Sequence, residues 1–280
     1  MKTSIVGTGL TGMVGSRIVE LLGDNYTFSD LRTQAHIDTH SPDQLNDFFK
    51  QSNASLVLHT AAKTDVDSCE TDKESAWKIN VEATQNIVNA CISHNKKLIY
   101  ISTDFVFDGA KDFYTEDDVP HPVNYYGKTK YEAEQRVLRK SDSLIVRISY
   151  PYRAAFPAKK DFVHKFLELL QKGSAIEAPD DNLFCPTYVD DIGHALDVLI
   201  QHNATGIFHV GSNSAISSFD AVCQIAELGG FSKEMITPTS FNTFYKNRAP
   251  RPLRLVLKHD KIAKLGIRMK SFTDGLKDFL

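Results

Sequence analysis

A β-branched run, Thr3-Ser4-Ile5-Val6, passes directly into Gly7-Thr8-Gly9-Leu10-Thr11-Gly12-Met13-Val14-Gly15, and apolar residues at helical spacing follow from Met13 to Leu22. This string satisfies both G-x-G-x-x-G and T-G-x-x-G-x-x-G. A glycine-rich turn alone often does no more than pack a helix on a strand. With a strand before it and a helix after it, the turn fits a β-α-β unit whose backbone N–H groups approach a diphosphate at the positive end of the helix. Gly7, Gly9, Leu10, Thr11, Gly12, Met13 and Val14 are therefore expected to cradle a dinucleotide, NADH or NADPH. A second short strand, Tyr26 to Phe28, ends at Asp30, where a carboxylate accepts from the adenosine ribose hydroxyls and favours NAD. Arg32 pulls the other way, because its guanidinium suits a 2′-phosphate.

The alternation continues. Leu56 to His59, Lys97 to Ser102 and Ser143 to Ile148 read as strands, and Lys73 to Ser93 and Asn124 to Arg139 as helices. Strands alternating with helices imply parallel pairing through right-handed crossovers, so the expected fold is α/β, a doubly wound parallel (Rossmann) sheet with a smaller C-terminal substrate-binding lobe. Residues 1–150 form the dinucleotide-binding part, with a returning segment near 188–212. Past Pro151, prolines 157, 179 and 186 punctuate shorter elements, with helices expected at Asp161 to Gln171, Val189 to Gln201 and Phe219 to Leu228, and 151–280 is mainly the substrate lobe.

Ligands of such sheets bind at the carboxyl ends of the strands. There the strand Tyr100-Ile101-Ser102-Thr103-Asp104 ends in hydroxyls, and one unit later Tyr126 and Lys130 stand four apart on one helix face. Of the ten tyrosines, only Tyr126 has a lysine at that offset. A phenol is a poor acid or base near neutrality until its surroundings change it, and Lys130 is the neighbour expected to favour phenolate while also holding a ribose. Thr103 would orient a carbonyl between Tyr126 and a hydride donor.

Together these features resemble the extended short-chain dehydrogenase/reductases. The strings Leu58-His59-Thr60-Ala61-Ala62-Lys63-Thr64-Asp65-Val66-Asp67, Ile79-Asn80, Ser102-Thr103-Asp104-Phe105-Val106-Phe107-Asp108-Gly109 and Tyr126-Gly127-Lys128-Thr129-Lys130 narrow the resemblance to the dTDP-4-dehydrorhamnose reductase family over roughly residues 1 to 150. The resemblance implies catalytic roles for Thr103, Tyr126 and Lys130. It puts Ala61, Ala62, Lys63, Asn80 and Ser102 along the cofactor cleft, and Val66, Thr103, Asp104, Phe105, Tyr150 and Arg251 against a sugar nucleotide. Its implied activity is NAD(P)H-dependent reduction of a 4-keto deoxysugar nucleotide, as in dTDP-rhamnose biosynthesis. The sequence departs from the family at Tyr150, where tryptophan is usual, at Asp180-Asp181-Asn182, which replaces a Gln and a Gly, and at Ala249-Pro250-Arg251-Pro252, which lacks the first arginine. Other members of the scaffold are epimerases, dehydratases, which tend to carry Glu where Phe105 stands, and a non-catalytic regulatory subunit that partners methionine adenosyltransferase. The class also implies a homodimer through Lys73–Ser93 and Asn124–Arg139, with Ile87, Val137 and Leu138 as apolar residues of the outer faces.

Composition excludes several classes. Thirty-two Lys and Arg against 35 Asp and Glu give a net charge of −3, so no basic field draws in nucleic acid or a membrane surface. No apolar window approaches a membrane span, and Met1 to Gly7 lacks a signal-peptide core, so a cytoplasmic location is expected. Cys69, Cys91, Cys185 and Cys223 are scattered, and the ten histidines, His194 and His209 among them, show no ligand spacing, so no metal is expected. Arg248, Arg251 and Arg254 beside two prolines offer guanidinium forks to a diphosphate or to solvent, and Trp77, the single tryptophan, is expected to pack between helices.

Overall fold

The computed structural model describes residues 2–154 and 156–280. Strands β1 (Thr3–Thr8), β2 (Tyr26–Asp30), β3 (Leu56–His59), β4 (Lys97–Thr103) and β5 (Leu144–Ile148) join a sixth strand, Gly206–Val210, in one sheet. From one edge the order is β2, β1, β3, β4, β5 and the sixth strand, every pairing parallel. The chain reverses its direction of winding between β1 and β3, which opens a crevice at their carboxyl ends. Register aligns Thr8 with His59, His59 with Tyr100, and Thr103 with Ile148, so the loops after β1, β3 and β4 leave the sheet side by side.

Both faces of the sheet are covered, which accounts for strands that are apolar on both sides. On one face α1 (Met13–Leu22) and the helix Val189–Gln201 seal a cluster that includes Ile5, Ile18, Val189 and Leu196. On the other lie α2 (Pro42–Gln51), the short α3 (Val66–Thr71) and α4 (Lys73–Trp77), α5 (Ala83–Ser93) and α6 (Tyr125–Val137), with Leu45, Phe49, Val88 and Ala133 in their core. A third cluster, outside the sheet, gathers Tyr152, Val163, Ile225 and Phe272.

Three details differ from the sequence reading. Lys73 to Ser93 is not one α-helix: Lys78–Glu82 forms a π-helical turn between α4 and α5, and this turn carries Asn80 into the interior. α2 was not expected, although Ser41 followed by Pro42 is a helix-start signature, and Ser41 does accept from Gln44 N. Ile87 and Val137 are buried in the subunit's own core and are not on an outer face, which leaves Leu138 exposed there. Trp77 is half-buried and lines a surface hollow with Val81 and Arg136.

Candidate active site

The start of α6 closes on the end of β4. Asn124 caps the helix by accepting from Gly127 N at 2.8 Å, and its Nδ2 donates to the Pro250 carbonyl at 2.9 Å. A Cβ on Gly127 would stand 2.1 Å from the Phe105 carbonyl oxygen, so only glycine allows this approach. Tyr126 is thereby buried beside Phe105, with ring centroids 5.7 Å apart. Lys130, one turn on, is buried too; its Nζ donates to the Ile101 carbonyl at 2.8 Å and sits 4.1 Å over the Tyr100 ring. Thr103 Oγ1 donates to Asp104 Oδ1 at 3.1 Å, and Ser149 Oγ donates to Asp104 Oδ2 at 2.6 Å. The fold thus brings Thr103, Asp104, Phe105, Tyr126 and Lys130 together.

Burial governs the electrostatics here. It pushes the Tyr126 phenol well above its ordinary value, against a hydrogen bond with Thr103. It pulls Lys130 down to about 7, opposed only by the charge of Glu134. It raises Asp104 to about 7 despite the hydroxyls of Ser149 and Thr103. Lys130 is not among the groups acting on the phenol: its Nζ is held by the Ile101 carbonyl at 2.8 Å, and burial dominates at Tyr126. A phenol kept protonated is an acid in waiting, the form that gives a proton away.

The neighbouring crevice suits a dinucleotide. Gly9 has φ +69°, and a Cβ there would lie 2.7 Å from Ala61 N, so the loops after β1 and β3 meet with no side chain between them. Gly12 starts α1 with no side-chain cap and no acid in the first turn, which leaves amide donors for an anion. Asn80 accepts from Lys63 N at 2.8 Å and donates to Lys63 O at 3.1 Å and to Thr129 Oγ1 at 2.9 Å, tying the Ala61–Lys63 loop to the helix that carries Tyr126. Ser102 Oγ, at the end of β4, is buried with no partner among the described residues. An orphaned hydroxyl and uncapped amides at a glycine cradle fit NAD(P)H, whose diphosphate Leu10 to Val14 would hold.

Some expected residues stand differently. Asp30 is buried: its Oδ2 accepts from Leu10 N at 2.9 Å, and its Oδ1 from Arg32 N, Thr33 N and Thr33 Oγ1. Its first task is to hold the glycine loop, while Arg32 remains exposed. The Lys63 ammonium turns to Asp72 at 2.7 Å. Val66 opens α3, and Tyr150 adopts a left-handed φ of +37°, packed 4.5 Å from Phe184 and 5.8 Å from Phe105. Such strain in a non-glycine residue concentrates at functional sites. Arg251 pairs with Asp67 at 2.8 Å, while Arg254 stands 3.7 Å from Asp112, so the arginine cluster is divided. His209 is buried and held neutral, burial bringing it down to about 3, while His194 is exposed. Among the described residues no group of His, Cys, Asp or Glu could hold a metal. Ser149, which anchors Asp104, had no spacing signal to mark it.

A parallel doubly wound sheet with a glycine cradle and a buried Thr, Tyr and Lys trio beside it defines an NAD(P)-dependent oxidoreductase of the extended short-chain type. The chain belongs to the RmlD substrate binding domain family, whose model matches residues 1–280. It is 33% identical over 99% of its length to a dTDP-4-dehydrorhamnose reductase of Mycolicibacterium smegmatis, covering 85% of that protein. It is 26% identical over 98% of its length to methionine adenosyltransferase 2 subunit beta of Xenopus tropicalis, covering 86%. The crystal structure of dTDP-4-dehydrorhamnose reductase from Bacillus anthracis in complex with NADP superposes with a TM-score of 0.91, at 28% identity and with 100% and 99% of the two chains covered.

Proposed function

We propose that the chain reduces the 4-keto group of a deoxysugar nucleotide of the dTDP-4-dehydrorhamnose kind, with Tyr126 as proton donor. The carrying observation is the Tyr126 phenol, buried with Thr103 at the carboxyl end of β4 beside a glycine cradle suited to NAD(P)H. The bound nicotinamide supplies the hydride. Thr103 orients the carbonyl, Tyr126 passes its proton to the oxygen as negative charge develops, and Lys130 holds a ribose hydroxyl. Val66, Phe105 and Tyr150 form the apolar wall for the sugar, Asp104 meets its hydroxyls, and Arg251, exchanging Asp67 for phosphate, clamps the diphosphate.

The test is Tyr126→Phe with NADPH and NADH on a panel of 4-keto sugar nucleotides. Loss of a general acid is expected to lower kcat by about 10² to 10⁴ while cofactor affinity is nearly retained. Turnover close to that of the wild type would sink the proton-donor role. No turnover of any panel member by the wild-type chain would favour the non-catalytic reading that its likeness to methionine adenosyltransferase 2 subunit beta raises.

A further inference from the structure

Arg153 follows the buried Tyr152, and its side chain folds back onto α1. Its Nη1 donates to the Met13 carbonyl at 3.1 Å and to Ser16 Oγ at 2.9 Å, and its Nη2 lies 3.2 Å from Glu20. Its backbone N–H donates to Asp161 at 3.1 Å, which fixes the start of the segment. The residue is 6% exposed, yet its Nε is buried with no partner among the described residues. A guanidinium with five donors thus lies against the first turn of the helix whose amino end forms the glycine cradle. No acid occupies that first turn, and the one carboxylate that Arg153's guanidinium meets, Glu20, is half-exposed and also held by Arg17 Nη1 at 2.9 Å, a partner it keeps when Arg153 leaves.

Six residues further on, Lys159 Nζ donates to Thr64 Oγ1 at 2.9 Å, just past Ala61-Ala62-Lys63. Arg153 and Lys159 therefore touch the two walls of the crevice, with a cation at each touch. We propose that Arg153 is a ligand of the dinucleotide's diphosphate, and that it exchanges Glu20 for phosphate oxygens when the cofactor enters. The inference rests on the family's NAD(P) dependence and adds a residue from outside the glycine loop. An unpaired buried donor and a displaceable carboxylate lie along the helix whose uncapped amides start at Gly12, and a diphosphate at that end would attract the guanidinium.

The test is direct binding to the cofactor-free chain, without turnover: NADPH and NADH by fluorescence, and ADP-ribose by calorimetry. Arg153→Met, which keeps the packing of the stem, is expected to weaken all three about tenfold or more, the loss of a charge-assisted hydrogen bond. Glu20→Gln removes the competing carboxylate and is expected to leave binding unchanged or tighter. Equal affinities for wild type and Arg153→Met would overturn the proposal, as would a loss confined to NADPH, which would place the guanidinium on the 2′-phosphate. Weakening by Glu20→Gln equal to that by Arg153→Met would also overturn it, because the pair would then be only a structural latch. If thermal melting shows that Arg153→Met does not fold, Arg153→Lys and Glu20→Gln decide the matter alone. A wild-type chain that binds neither cofactor would refute the reductase reading itself.

Discussion

Single residues here serve two masters, and their energetics separate the roles. Asp30 is placed where a carboxylate reads ribose, yet it accepts from Leu10 N and from the turn at Arg32 and Thr33. Asp30→Ala would leave buried backbone donors unpaired, at about 1–3 kcal/mol each, and would loosen the glycine loop. Both NADH and NADPH affinity are expected to fall; fluorescence titration in which NADPH binding survives while NADH binding drops would restore the ribose-reading role. Lys130 carries a stability cost. Its folded-state value of about 7 lies below the ordinary 10.5, so between those pH values the unfolded chain binds a proton that the folded chain has released. Stability from this group accordingly rises with pH across that window, and the ammonium is a full burden below pH 7. Lys130→Met is expected to raise stability by about 1–3 kcal/mol at pH 6, at about 1.4 kcal/mol per unit of displaced titration discounted for relaxation. The gain should shrink toward pH 10 in urea melts, and a variant less stable than wild type at pH 6 would refute the account. The positions of Thr103, Tyr126 and Lys130 were legible from order and spacing; the state of the phenol was not, because desolvation depends on what the fold packs around it.

At the scale of elements, the helix that bears Tyr126 is fastened by charge as well as by packing. Arg147 on β5 donates from Nε and Nη2 to Glu134 on α6 at 3.0 and 2.7 Å, both side chains at most 1% exposed, and its Nη1 meets His209 Nε2 at 3.3 Å. Breaking a buried pair strands the remaining charge. Arg147→Met is expected to cost about 3–5 kcal/mol in denaturant unfolding, and adding Glu134→Leu to recover most of it. Additive losses in the double-mutant cycle would refute the coupling. The run Lys73 to Ser93 shows why element boundaries are hard to read: its periodicity is helical, but the side-chain bonds of Asn80 to Lys63 and Thr129 accompany a π turn that splits it. Pattern registers which residues are apolar; it does not register a polar side chain drawn inward by partners 17 and 49 residues away.

For the whole molecule, the surface of α4, α5 and α6 presents Trp77, Leu138 and Ile92 in place of the buried Ile87 and Val137. We expect two copies to meet there, and sedimentation equilibrium at micromolar concentration to give twice 31.3 kDa; a single 31.3 kDa species would remove the dimer. The class of fold and the candidate site are legible in the chain, because glycine at a strand-to-helix turn, alternating apolar runs and a Tyr-x-x-x-Lys pair are local patterns with local physical causes. That Asp30 holds the loop, that burial raises the Tyr126 phenol, and that Arg153 crosses 140 residues of chain to reach Met13 emerged from the packing of distant parts. Each of those depends on burial and on partners distant in sequence, and no local spacing encodes how much water a side chain loses.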